Sequence, residues 1–234
     1  MAFRFKQFSI SDDNCSMKVG VDAVLLGAWC NVEGATRILD IGTGSGVIAL
    51  MLAQRSEALI HAIEIDSKAA EQASFNASES PWSGRLNIEN ISIQHFMSSG
   101  IQHFDMIVCN PPYFNNSLLS PASGRNQSRH SGEMPHDMLA MAFSELSSPA
   151  GRCCVILPVP ESILFVSLMQ ANGFSPTRKM LVYPKPGKAA NRAMIQFERN
   201  SVVFCLEEIL EIRNSDNTYS NAYKELTRDF YLNF

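Results

Sequence analysis

Residues Asn110-Pro111-Pro112-Tyr113 could do chemistry on an amine. Proline fixes φ and lacks a backbone N–H. Asn110 therefore offers its side-chain oxygen, and Pro111 its carbonyl, from a stiffened backbone. An exocyclic –NH₂ on a planar ring needs one acceptor for each N–H. Held by two acceptors, the nitrogen shifts toward tetrahedral geometry and its lone pair becomes available to an alkyl donor. No strong base is required, because the alkylated amine is cationic and acidic. Tyr113 can stack on the ring, a contact worth ~1–3 kcal/mol, and Phe114 can form a second wall. Taken alone, the same residues also read as a proline-rich turn after a strand.

A second constellation lies upstream. In "LDIGTGSG", Gly42, Gly44 and Gly46 alternate after a strand and before a helix. Such a backbone turns tightly and approaches a ligand with no side chain in the way. The spacing is not that of a dinucleotide site, and Asp40 precedes the first glycine. An acid there suits a ligand with a cationic amino group, and S-adenosylmethionine carries one beside its sulfonium. Glu64 follows Gly46 by 18 residues, at the end of the next strand. A carboxylate there can accept both ribose hydroxyls. Asp66 competes for that role.

These residues need elements to position them. Arg37–Gly42, Leu59–Asp66, Leu86–Ile93, Phe104–Asn110 and Gly151–Pro158 read as strands. Ser45–Ser56, Ser67–Ser80, His136–Ser148 and a stretch near Glu161–Ala171 read as helices. Alternation of this kind predicts a parallel sheet covered on both faces. Ligands bind beyond the carboxyl ends of such strands, so Gly42 and Asn110 are expected to face one crevice. Thr177–Pro184 and Arg192–Asn200 read as an antiparallel pair at the sheet edge, Glu207–Asn214 as a possible further strand, and Tyr219–Phe234 as a terminal helix.

The chain has 234 residues, 46% hydrophobic and 18% charged, with a net charge of −4. This suits one domain with a sizeable core and argues against general coating of nucleic acid. No apolar run is long enough to span a bilayer, and "MAFRFKQFSI" carries no secretory h-region. The six cysteines form no metal-like pattern, so no metal is expected and a reducing cytoplasm fits best. From Arg178 to Arg192 there are five basic residues and no acidic one. Lys185, Lys188 and Arg192 could contact an RNA backbone or form a solvated loop. Arg125 and Arg129 follow the proline pair and could likewise bind phosphate. Lys18 and Asp22 either reach a cofactor from a lid or serve as a cap and ion pair.

The glycine loop, Glu64 and NPPY together resemble a class I methyltransferase. Phe5–Cys30, with "MKVGVDAVLLGAW", then Ser80–Ile88 and Tyr219–Leu232, resemble the tRNA1(Val) (adenine(37)-N6)-methyltransferase family over almost the whole chain. The resemblance implies a Rossmann-like α/β fold, with a mostly parallel seven-stranded sheet, an antiparallel edge and helices on both faces. It implies one domain over 1–234, with a lid at 1–30, a cofactor core at 37–172 and edge strands with a helix at 175–234. It implies S-adenosylmethionine as cofactor and a tRNA adenosine beside the anticodon as substrate. Family members tend to carry an aspartate against the cofactor's adenine amine. Ser92 stands at the matching position, where its hydroxyl accepts more weakly. The rivals are an adenine methylase of rRNA or DNA, a protein-glutamine methylase, and a noncatalytic RNA-binding protein with this fold.

Overall fold

The computed structural model describes residues 2–15, 17–100, 103–112, 134–199, 201 and 204–234. A short hairpin, β1 (Phe3–Arg4) and β2 (Ser9–Ile10), leads to α1 (Val21–Trp29). Then β3 (Arg37–Ile41), α2 (Val47–Arg55), β4 (Leu59–Glu64), α3 (Ser67–Ser78), β5 (Leu86–Asn90), α4 (Ile93–Ser98) and β6 (Phe104–Cys109) alternate. The chain continues with α5 (His136–Leu146), β7 (Ser147–Pro158), α6 (Val159–Ala171), β8 (Phe174–Tyr183), β9 (Arg192–Arg199), β10 (Leu206–Glu211) and α7 (Asn221–Thr227).

The main sheet runs β10-β8-β9-β7-β6-β3-β4-β5. Its strands are parallel except β9, which is antiparallel to both β7 and β8. The central strands are apolar throughout because both faces are covered. Along β6, Met106 and Val108 join the core under α1 and α2, while Ile107 and Cys109 join the core under α5 and α6. Helix α1 is buried from Ala23 to Trp29. Gly27 lets α1 approach α2 closely, since a Cβ would lie 2.8 Å from Met51 Sδ and press that side chain aside.

The sequence expectations differ from this in four places. The sheet has eight strands rather than seven, because β10 pairs in parallel with β8 and buries Leu210. The antiparallel strand therefore lies inside the sheet. The third core strand stops at Asn90, because Ser92 caps α4 and turns Ile93 into a helix. The terminal helix is confined to Asn221–Thr227. Beyond it, Phe230 and Tyr231 pack on Phe5 of the amino-terminal segment rather than extending the helix.

Candidate cofactor and methyl-transfer site

Strand register brings the chemistry together. Ile41 lies opposite both Ile63 of β4 and Cys109 of β6. The residues that follow, Gly42, Glu64 and Asn110, therefore leave the sheet side by side, where the chain order reverses across β3. They line one cleft of about 390 Å³, with Gly44, Asp66, Ile91, Ile93, Gln94 and Pro112.

The glycine turn is built for close approach. Gly42, Gly44 and Gly46 have φ of 69°, 58° and 84°, the left-handed region where side chains are strained. A Cβ on Gly42 or Gly44 would project into open space rather than into protein. Glu64 holds the turn. One carboxylate oxygen accepts from Gly44 N and the other from Asp66 N, both at 2.9 Å. Each oxygen keeps a further lone pair for a ligand hydroxyl. Asp66 also borders the cleft, but its Oδ1 accepts from Ala69 N as the cap of α3. Both acids therefore stand at the cleft with a backbone amide already bound.

Asp40 does not line the cleft; it is fully buried under the glycine turn. Its Oδ2 accepts from the Thr43 hydroxyl at 2.6 Å, and Oδ1 has no hydrogen-bond partner. Burial pushes its pKa up to about 7, with the Thr43 hydroxyl and the nearby Ala49 N–H dipole, which makes no hydrogen bond to Oδ1, offsetting only part of this. The folded chain therefore holds more protons than the unfolded chain between about pH 4 and 7, and stability falls across that window as pH rises. Above it, the loss is complete at roughly 4 kcal/mol. Asp40→Asn should abolish this decline, so melting of the ligand-free chain becomes flatter from pH 5 to 8. An unchanged melting profile would show that Asp40 is ionised throughout.

Several expected residues are engaged elsewhere. Lys18 Nζ donates to the Asp12 carbonyl at 2.6 Å, and Asp12 accepts from Val19 N. Asp22 pairs with Arg192 at 2.9 Å, tying the first turn of α1 to β9. Neither Lys18 nor Asp22 lines the cleft; Cys15 and Met17 do so from the same segment. Ser92 Oγ accepts from His95 N as the cap of α4, so the cleft wall there is Ile91, Ile93 and Gln94. Tyr113, Phe114, Arg125 and Arg129 lie outside the described residues. The basic run is partly neutralised: Arg178 is bidentate on Glu208, and Lys179 lies 3.8 Å from Glu207. Both glutamates come from β10, which is why the acid-free stretch is not an unopposed charge.

One positioning residue was missed in the sequence. Asn76 of α3 is 2% exposed, and its amide donates to the carbonyls of Ser11 and Ser45 while accepting from Ser11 N. It pins the amino-terminal segment to the glycine turn. The only signal was an amide at helical spacing from Ala69 and Ala73 on the buried face of α3.

The donor set fits S-adenosylmethionine. An orphaned buried carboxylate oxygen lies beneath an open glycine turn, and a second carboxylate sits one strand away. Comparison with known proteins agrees. The family described as "Methyltransferase small domain" matches residues 19–127. A predicted O-methyltransferase from Agrobacterium tumefaciens shares the fold at TM-score 0.70 and 18% identity, over 89% of this chain and 96% of that one. The tRNA1(Val) (adenine(37)-N6)-methyltransferase of Bacteroides fragilis strain YCH46 is 44% identical over 98% of this chain and 97% of its own length. The protein of that name from Tolumonas auensis is 41% identical over 99% and 97%. At that identity over nearly its full length, the chain belongs to the tRNA1(Val) (adenine(37)-N6)-methyltransferase family.

Proposed function

We infer that the chain transfers a methyl group from S-adenosylmethionine to N6 of adenosine 37 in valine tRNA. The observation that carries the mechanism is the placement of Asn110 and Pro112 in the same cleft as Gly42, Gly44 and Glu64. Gly42 and Gly44 would admit the methionine end of the cofactor, Glu64 would take the ribose hydroxyls, and Asp40 braces the turn from beneath through Thr43. Ile91 and Ile93 form an apolar wall for the adenine, beside Gln94. When bound, the cofactor supplies an electrophilic methyl on its sulfonium.

The target adenine must leave its stack to enter the cleft. Asn110 and the Pro111 carbonyl then accept the two N–H groups of its amine, and Tyr113 and Phe114 hold the ring. The spare proton passes to solvent after transfer. Fixed acceptors and alignment thus account for the rate without a general base. Lys185 and Lys188, at the same edge of the sheet, contact the RNA backbone, and Arg125 and Arg129 follow the proline pair as further phosphate ligands. Arg192 acts through its brace to Asp22.

Transfer of labelled methyl to tRNA, rRNA, DNA and a glutamine-bearing protein tests this reading. Label confined to tRNA is expected. Label on protein or DNA instead would assign the same site to one of the rival activities.

A further inference from the structure

A second cavity, about 720 Å³, opens between the β8–β9 loop, the end of β10 and the start of α1. Its size falls within the ~300–1,000 Å³ of small-molecule sites. We propose that it receives a second nucleotide of the substrate RNA, with the base on Arg213 and a phosphate on Lys185 and Lys188. The proposal rests on the RNA reading above and adds a site to it.

Position is the first argument. Strand β8 ends at Tyr183, β9 begins at Arg192, and Arg192 lies opposite Pro158 at the carboxyl end of β7. The cavity therefore shares the sheet edge that carries Asn110. From β6 to β8 there are three inter-strand steps, about 14 Å in all. An RNA strand whose adenine enters beside β6 passes over this edge.

Charge is the second. The lining holds Lys185, Lys188, Arg192 and Arg213 against Asp22 alone, and Asp22 is taken by Arg192. Among the described residues, the ion pairs engage Lys18, Arg85, Arg178, Lys179, Arg192 and Arg228 but not Lys185, Lys188 or Arg213. In a chain of net charge −4, three cations facing one cavity whose single carboxylate is paired with Arg192 suit an anionic ligand.

Shape is the third. Tyr223 and Tyr219 are stacked with ring centroids 5.0 Å apart, and the Arg213 guanidinium lies over Tyr219 at 4.3 Å. Arg213 also donates to the Asn217 carbonyl at 2.6 Å, and Lys185 donates to the Asn217 side chain at 3.2 Å. The column thus presents a pre-oriented planar cation at the cavity, and such a plane stacks on a nucleobase.

Stem-loop RNAs carrying the anticodon loop test this, each lacking one base at a position other than the methylated adenosine. Binding and methylation are measured for the native chain, Arg213→Lys, and Lys185→Ala with Lys188→Ala. One abasic position should weaken native binding about tenfold, the size of one lost base stack. Arg213→Lys keeps the charge but not the flat face, so that position should then matter little. The double lysine variant should lower the slope of log affinity against log salt by about 2, with native melting and cofactor affinity. Either an abasic penalty equal in native and Arg213→Lys, or an unaltered salt slope, overturns the proposal. A native chain that shows the binding pattern but methylates no tRNA contradicts the functional reading instead.

Discussion

Asn110→Ala is expected to slow methyl transfer by about 10²–10³ in a single turnover with RNA and cofactor saturating. The residue sits at the carboxyl end of β6 and lines the cofactor cleft. In the proposed mechanism its amide oxygen is one of two acceptors for a nitrogen that becomes cationic as the methyl arrives. The interaction therefore strengthens on the way to the transition state, and its loss appears in the rate rather than in substrate binding. Asn110→Asp retains an acceptor and should keep part of the activity. Cofactor affinity in both variants should stay close to native, because the glycine turn and Glu64 belong to other strand ends. Transfer by Asn110→Ala at the native rate would reduce the proline pair to a stiff turn.

Glu64→Ala is expected to weaken S-adenosylmethionine binding by about 10–100-fold, the scale of one lost hydrogen bond to a charged group. Two effects combine. The ribose loses its acceptor, and Gly44 N and Asp66 N lose the carboxylate that holds the turn and the entry to α3 in place. Glu64→Gln keeps one acceptor oxygen and should fall between native and Ala. Titration calorimetry reads both, with melting as the control for the fold. Native affinity in Glu64→Ala would remove this residue from the cofactor site.

The central architecture was legible because it is local. Apolar strands, a glycine turn and amphipathic helices each announce themselves within ten or so residues, and their alternation dictates a parallel sheet. Gly42, Gly44, Glu64 and Asn110 were legible for the same reason: strand ends converge wherever the chain order reverses. Residues whose partners are distant in sequence were not. Asp22 meets Arg192, and Arg178 meets Glu208 and stacks on Trp29, only because β8, β9 and β10 return beside α1. Ser92 stands at the bend after β5, but a serine that starts a helix satisfies the helix first. Cys15 and Met17 reach the cleft through the hold of Asn76 on Ser11, which no periodicity encodes.

The methylated atom is identified by incubating the native chain and labelled S-adenosylmethionine with a valine tRNA transcript, and with the same transcript carrying guanosine in place of adenosine 37. Nuclease digestion and mass spectrometry then locate the methyl. The expected result is N6-methyladenosine at position 37 in the first RNA and no incorporation in the second. Equal incorporation into both, or a methyl at another nucleotide, would contradict it.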